Sequence, residues 1–565
     1  MFGSLKFSRE TLRSDLGAGL TVALVSIPEG MAYALVAGVN PIYGLYTGML
    51  TTIVASLTAS TSLVIVTLTN AMALVAGERL AGLGAGVDPI RALFTLTFLV
   101  GVIMFALGAL KLGSVDRFVS REVMSGFIFA TALLIILGQY KDLVGYVSSW
   151  ETNKLFKAVD ITLHVGDWSM YATLVGFASI LILVLLKRSP LKKWADILII
   201  LVATLFVVLT QLEGVELVGD ISVLPSGFAV IPKPVLPDLR LIPTLIVGAL
   251  AAAIVGLVEG SGIGAAYPNP DGSRSNMSRD FSGQGLANLA GSFFQAMPAS
   301  ASLSRTGVNV SGGAKSRWAG VYAGVLMAVI LVLFGSYAEL IPMPGLAAVL
   351  IVVGFEMMIK EARELVIAWK VSRMNTIVAL ITILVGVLED LTIAIFTGTF
   401  LSLLLYTFVS AGQLKVVTLV RNKGGKWEER PVPEVLPANQ ATVIDIRGSI
   451  FFASVYSFDE LLPRPNEARN AVVIIRVRDR RLASLTGLVW FKKYHDKMEA
   501  AGNHLMISGV SGVAMKSLEK AGALTYLGAE NIFLAETQYF ASTEKALDAA
   551  EARIARNENR SASRS

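Results

Sequence analysis

From about Asp15 to about Gly412, apolar runs of membrane-spanning length alternate with short polar joints; from about Lys415 onward, short strand-like and helix-like runs replace them. About fourteen apolar segments stand out, near 15–38, 42–60, 69–80, 91–111, 117–138, 168–187, 194–212, 241–264, 281–296, 302–313, 317–338, 344–359, 374–389 and 391–412. Several, including 69–80 and 302–313, are too short to cross a bilayer as straight helices, which takes about 20 residues. Charge tests the count. Lys6, Arg9 and Arg13 put the amino terminus in the cytoplasm, so every second joint should be basic. Lys111 with Arg117 and Arg121, Lys187 to Lys193, Arg274 with Arg279, Lys315 with Arg317, and Lys360 to Arg373 all fall on that side. The same parity returns the carboxyl-terminal region to the cytoplasm.

Seven segments, a long outer joint from Glu213 to Arg240, then seven more predict two repeats, and an odd number per repeat makes them inverted. The short third and tenth segments hold equivalent places and open on polar residues: Thr67, Thr69 and Asn70 before Ala71, and Ser300, Ser302 and Ser304 around Leu303. Extended stretches, Ser62 to Val66 and Phe293 to Met297, precede them. Pro298 ends regular backbone, Ser300 and Ser302 are good N-cap residues, and a helix restarting there has free N–H groups and partial positive charge at its start. Arg305 adds a full charge. Two such half-helix N-termini facing each other predict an anion site at the midplane. The alternative for Arg305 is a structural counter-ion to Glu259.

Glu29, beside the helix-breaking Pro28, and Glu259 lie in equivalent first and eighth spans. An ionised carboxylate at the bilayer centre costs at least about 2.5 kcal/mol, so each should face a cavity, bind a cation or carry a proton. Desolvation favours the neutral carboxyl, which makes both candidates for coupling. The alternatives are a Glu29 satisfied by backbone freed at Pro28 and a Glu259 that partners a neighbouring helix.

Composition narrows the class. Of 565 residues 54% are hydrophobic and 16% charged, with a mean hydropathy of +0.65, too little polar surface for a soluble chain of this length. There is no cysteine, and the three histidines (His164, His495, His504) are far apart in sequence, which leaves little for a metal centre or nucleophilic catalysis. The formal charge of +6 is spread over joints, where topology explains it better than nucleic acid does. No enzyme activity, cofactor or metal is expected.

At this point the residues resemble the sulfate permease (SulP) family of anion transporters, whose animal relatives include pendrin and prestin. Asp15-Leu16-Gly17-Ala18-Gly19-Leu20 through Ile27-Pro28-Glu29-Gly30-Met31-Ala32-Tyr33-Ala34, followed by Pro41-Ile42-Tyr43-Gly44-Leu45-Tyr46-Thr47, is similar to the family's first-span signature. Gly285 to Ser292 and Ala301 to Thr306 resemble its ninth- and tenth-span motifs. The resemblance implies fourteen spans in 7+7 inverted repeats, about 15–212 and 241–412, forming core and gate domains. It also implies substrate held between spans three and ten, elevator-like alternating access, a homodimer and a cytoplasmic STAS domain.

Three departures bear on substrate and coupling. Members commonly carry Gly-Pro before the third half-helix, where this chain reads Thr67-Leu68-Thr69-Asn70-Ala71, and many carry glutamine at Glu29. Sodium-coupled relatives place a hydroxyl one turn after the Glu259 position, where this chain has Ile263.

The expected organisation is a cytoplasmic segment 1–14, a polytopic α-helical membrane domain 15–412, a linker 413–440, a small α/β STAS domain 441–550 and a disordered tail 551–565. Gly448 to Ala453 resembles the STAS first-strand motif. The phosphorylatable loop of bacterial STAS proteins would fall at Arg481 to Gly487 and fits poorly, so Ser484 and Thr486 read as helix-capping residues.

The function expected is proton-coupled symport of a small inorganic or carboxylate anion, bound by Thr69, Asn70, Ala71, Ser300, Ser302, Leu303, Ser304 and Arg305 and coupled through Glu29 and Glu259. Sodium-coupled symport, anion exchange and an uncoupled channel are the alternatives. A bacterial inner membrane, with a possible cytoplasmic regulator acting on the STAS domain, is the expected setting.

Overall fold

The computed structural model describes residues 9–84, 86–113, 118–150, 152–222, 227–261, 263–412, 414–422, 424–447, 458–465, 468–478 and 485–562. The chain forms two compact units, Met1–Ser402 and Leu403–Ser565.

The first unit is helical: α1 Arg9–Val36, α2 Pro41–Thr58, the short strand β1 Val66–Thr67, α3 Asn70–Ala81, α4 Pro89–Ala109, α5 Arg121–Val144, α6 Lys154–Leu163, α7 Met170–Lys187 and α8 Ala195–Thr210. After the single turn α9 (Val218–Ile221) come α10 Ile242–Ser261, the turn α11 (Ile263–Ala266), α12 Met277–Ser292, β2 Ser300–Ala301, α13 Leu303–Ser311, α14 Trp318–Phe334, α15 Met343–Val371, α16 Arg373–Leu388 and α17 Leu391–Gly412. Each of the fourteen segments read from the sequence overlaps one of these helices, with ends that differ by several residues. Among the described residues eight helices are long and apolar enough to cross a membrane unaided.

Two elements differ from expectation. The helix α6 has no counterpart among the fourteen segments, because Lys154, Lys157 and Asp160, which lie off the face formed by Phe156, Val159 and Leu163, break the apolar run along the chain and hide the helix from a hydropathy reading. The helix α15 runs on to Val371 through the basic joint at Lys360 to Lys370, whose Lys, Glu, Ala and Arg residues favour helix as well as marking polarity.

Local chemistry sets the boundaries. Asn40 caps α2 by accepting from the Ile42 N–H at 2.9 Å with Pro41 at the first helical position, Asp88 does the same for α4, and Gly145 ends α5 in the left-handed region at φ 67°.

The helices pack as two groups. In one, α4 lies on α12, α1 on α14, and α2 against α1, α12 and α14, with α10 on α4 and the half-helices α3 and α13 between. In the other, α15 packs on α5 and α7, and α16 on α5. Small residues allow the closest approaches: a Cβ on Gly101 of α4 would lie 2.7 Å from the Leu289 backbone nitrogen of α12.

At the far end of α3 the groups are tied by charge. Arg79 pairs with Asp390 at 2.5 Å, and Glu78 accepts the Leu391 N–H at 2.9 Å, capping α17. If the groups move against each other, this tie must open. Asp390→Asn is therefore expected to raise the labelling rate of a cysteine placed at Glu78, measured with a membrane-impermeant maleimide, by several-fold over the same cysteine with Asp390 intact.

The second unit is a six-stranded sheet in the order β4-β3-β5-β6-β7-β8. Strands β5 (Ala441–Arg447), β6 (Val472–Arg476), β7 (His504–Val510) and β8 (Ile532–Leu534) are parallel, and β3 (Lys415–Arg421) and β4 (Trp427–Arg430) form an antiparallel hairpin at the edge. Helices α18 (Phe458–Leu461), α19 (Leu485–Ala500), α20 (Gly512–Lys520) and α21 (Ala523–Leu527) lie between and after the parallel strands, and α22 is Ala541–Ala562. Phe491 and Met498 of α19, Leu518 of α20 and Leu527 of α21 pack with Ile444, Ile475 and Ile507 in one core; Ala546, Ala550 and Ile554 of α22 pack with Val443 and Ile474 in another.

Two expectations are corrected. Residues 415–430, read as linker, supply β3 and β4, because Val417 and Leu419 alternate inward and Gly425, at φ 76°, makes the turn; the prolines that suggested a linker follow the strands. The tail read as disordered from 551 is helical to Ala562, with Ile554 packed in the second core. The first-strand motif Gly448 to Ala453 and Ser484 lie outside the described residues, and Thr486 falls in the first turn of α19.

Candidate functional site

In the middle of the first unit β1 and β2 pair antiparallel, Val66 with Ala301 and Thr67 with Ser300, and each leads directly into a half-helix. Thr69 caps α3 by accepting from Met72 N, and Ser302 caps α13 by accepting from Arg305 N, both at 3.4 Å. Ser300, read as a possible cap, sits instead in β2.

Non-helical backbone at membrane depth needs partners inside the protein. Buried side chains of the surrounding helices supply them. Thr51 and Thr52 of α2 each donate to the Val66 carbonyl at 2.9 Å, Thr306 accepts from Ile65 N at 3.1 Å, and Asn309 donates to Leu63 O at 2.9 Å. In the second stretch Asn288 of α12 grips Ala299 from both sides, donating to its carbonyl and accepting from its N–H at 2.8 Å each. Gln284, one turn earlier, accepts from Ala301 N at 3.1 Å, and Thr47 accepts from Met297 N at 2.8 Å. Sequence reasoning missed these supports. The signal was there, as threonine, asparagine and glutamine within otherwise apolar spans, but hydroxyls and amides are common in such spans and nothing in one sequence says which of them meet bare backbone.

The residues singled out from the sequence sort into three sets. Glu259 joins the two strand ends: its Oε2 accepts from Ser300 Oγ at 2.5 Å and Thr69 Oγ1 at 3.1 Å, and those hydroxyls are 3.1 Å apart. Arg305, 2% exposed, is paired with Glu29 rather than Glu259, Nη2 to Oε2 at 2.5 Å; its Nε donates to Ser26 Oγ at 3.1 Å and its guanidinium lies 5.7 Å from the Tyr33 ring centre. Helix α1 thus presents Ser26, Glu29 and Tyr33 on one face toward α13. Leu303 and Ser304 form the exposed tip of α13, with Ser304 Oγ 3.2 Å from Ser302 Oγ.

The two half-helix ends are not equivalent donors. At α3 the Ala71 N–H is taken by the Asn70 carboxamide oxygen at 2.9 Å and the Met72 N–H by Thr69, while the Asn70 amide turns to the Met357 sulfur of α15. At α13 the first internal bond is Thr306 N to Ser302 O, leaving the N–H groups of Leu303 and Ser304 outside the helical ladder. On the facing group Lys187 lies 2.8 Å from Glu356 and 3.6 Å from Asp196, near enough for Lys187 and Asp196 to act electrostatically on Glu29. Among the described residues no group of three or more His, Cys, Asp or Glu side chains is placed to hold a metal ion.

Comparison with known proteins agrees with this architecture. The model of the sulfate permease family matches residues 12–382, more than half of the chain. The Bacillus subtilis protein YvdB is 26% identical over 93% of this chain and 97% of its own, and the chloroplastic sulfate transporter 4.1 of Arabidopsis thaliana is 27% identical over 79% and 66%. The solved structure of the murine anion transporter Slc26a9, in its inward-facing state, superposes with a TM-score of 0.83 at 18% identity, covering 97% of this chain and 92% of that one. A helical membrane unit built around two half-helices and followed by an α/β unit, matched by that family model, makes this chain a member of the sulfate permease family, an integral membrane anion transporter and not an enzyme.

Proposed function

We propose that the chain is a secondary active transporter that carries a small inorganic or carboxylate anion together with a proton. The anion sits between the N-termini of α3 and α13, held mainly by the Leu303 and Ser304 N–H groups and the Ser302 and Ser304 hydroxyls, with Arg305 supplying charge. The observation that carries the coupling is the Arg305–Glu29 pair. While Glu29 is ionised, the guanidinium is neutralised by its own neighbour and the dipoles of the half-helices act alone. A proton on Glu29 releases the charge of Arg305 to the anion. Each ligand then favours the other by the same factor, which is the thermodynamic requirement for symport. Glu259, tied to Ser300 and Thr69, is the second coupling candidate.

Elevator-type alternating access is supported by the separate packing of the two helix groups, with the site carried by α3 and α13. Termini in the cytoplasm, a bacterial inner membrane, a homodimer in the bilayer and a cytoplasmic regulator of the α/β unit complete the proposal; the alternation of basic joints supports the orientation. Sodium coupling has one observation in its favour, the three oxygens of Glu259, Ser300 and Thr69, but Ile263 offers no fourth one turn later.

Uptake into proteoliposomes tests the reading. Because the protonated form of Glu29 binds the anion, uptake is expected to rise as external pH falls and to be driven by an inward proton gradient with potassium as the only alkali cation. Glu29→Gln is expected to keep facilitated exchange but lose most of that pH dependence. An unchanged pH profile would remove Glu29 from coupling; a strict need for sodium would favour the alternative ion; conductance far above carrier turnover would favour a channel.

A further inference from the structure

The charges around the proposed site are unequal in number, and the imbalance bears on which anion fits. Arg305 is the only cation at the half-helix ends among the described residues, and Glu29 already lies against it at 2.5 Å. Glu259 adds a second carboxylate, bonded only to hydroxyls. Across from α1, on α7, α8 and α15, Lys187 is shared by Asp196 and Glu356, so that set is also one negative charge in excess. The next turn of α15 carries Lys360 and Glu361, 3.9 Å apart and mutually balanced. The outer end of α3 carries Glu78 and Arg79, answered by Lys154 and Asp390. The sequences of α2, α10 and α14 hold no charge but Glu259, and those of α4, α5 and α12 hold charge only near their ends.

At the half-helix ends two carboxylates, Glu29 and Glu259, therefore share one cation. With both ionised the site has one negative charge in excess; with both protonated it has one positive charge, that of Arg305, at the position proposed for the anion. One unit of negative charge can be answered there. A second cannot, and in a buried site an unanswered charge costs several kcal/mol.

The covered amide ends sharpen this. Asn70 and Thr69 occupy the Ala71 and Met72 N–H groups of α3, so one of the two half-helices has given up donors that a tetrahedral dianion would need on that side.

We infer that the transported anion is monovalent, and that sulfate and other dianions are discriminated against. This rests on the anion site proposed above, and it differs from what the printed name of the Arabidopsis relative says of that protein. Specificity is a difference of affinities, and here it arises from what the site lacks.

The test is uptake by the full-length chain in proteoliposomes, at two external pH values, of radiolabelled formate, hydrogencarbonate and sulfate, each competed by unlabelled chloride, nitrate, formate and sulfate. The expected result is that half-inhibition by sulfate needs about tenfold or more the concentration of the best monovalent anion, the scale of one uncompensated charge at moderate distance in a protein. In Glu29→Gln, where Arg305 is no longer neutralised, that gap should narrow. Sulfate competing as well as or better than every monovalent anion, with Arg305→Ala weakening all of them, would overturn the inference while leaving the site standing. Arg305→Ala competing like the wild type for every anion would overturn it by removing the site itself.

Discussion

An Arg305→Ala protein is expected to lose both anion affinity and stability, and the two losses should part company in a double mutant. The guanidinium is 2% exposed and touches Glu29, Ser26 and the face of Tyr33. Removing it leaves Glu29 as a buried charge with no counter-ion, a change that costs about 3–5 kcal/mol when one partner of a buried pair is deleted. It also removes the one cation near the proposed anion position among the described residues; interactions with a charged donor are worth about 1.5–3 kcal/mol, a loss of roughly tenfold or more in affinity. Adding Glu29→Gln removes the orphaned charge, so the thermal midpoint should recover most of the way. Anion affinity should not recover. A double mutant that regains both would mean that Arg305 serves only to neutralise Glu29 and that the half-helix dipoles suffice for the anion.

The second large effect is expected at a residue that touches no substrate. Asn288, fully buried on α12, stands in for a strand partner: it donates to the Ala299 carbonyl and accepts from the Ala299 N–H, and it also donates to Gln284 O. Asn288→Ala leaves two backbone groups buried with nothing to bond. Each such group costs about 1–3 kcal/mol, so a total near 4 kcal/mol is expected, read as a lower thermal midpoint in detergent. Because Ser300 follows Ala299 directly and carries the hydroxyl that meets Glu259, the variant should also lose transport in the fraction that still folds. Gln284→Ala, which frees only the Ala301 N–H, should show a smaller effect in the same direction. Equal stability of Asn288→Ala and wild type would mean that water replaces the carboxamide and that the stretch is less dry than its burial implies.

Much of the architecture is legible in the sequence alone, for identifiable reasons. The hydrocarbon layer imposes a length on each span and the interface imposes charge on alternate joints, so both leave marks that a single sequence preserves. The half-helices could be found for a related reason: segments too short to span, opening on threonine and serine, have few other uses at that depth. Where the reading failed, polarity stood for two things at once. Lys154 and Asp160 made α6 look like a loop, Lys360 to Lys370 made the end of α15 look like a joint, and the prolines after β4 made a hairpin look like a linker. In each case the missing information was which face of the segment meets protein, and that is settled by neighbours far away in the chain.

The sequence by itself determined the class of this protein and the chemistry available to it: a membrane chain in two inverted halves, two half-helix N-termini, one arginine and two carboxylates at equivalent places. Those follow from periodicity and composition, which are local. Only the tertiary structure decided the pairing. Arg305 could have answered Glu259 or Glu29; it lies on Glu29 because α1 packs against α13, while Glu259 on α10 meets the hydroxyls that β1 and β2 bring together. Which carboxylate neutralises the cation depends on distances of a few ångström between residues far apart in the chain, Glu29 more than two hundred positions before Arg305 and Glu259 more than forty, and electrostatic energy in a dry interior falls steeply enough with distance for that choice to decide what the site can bind.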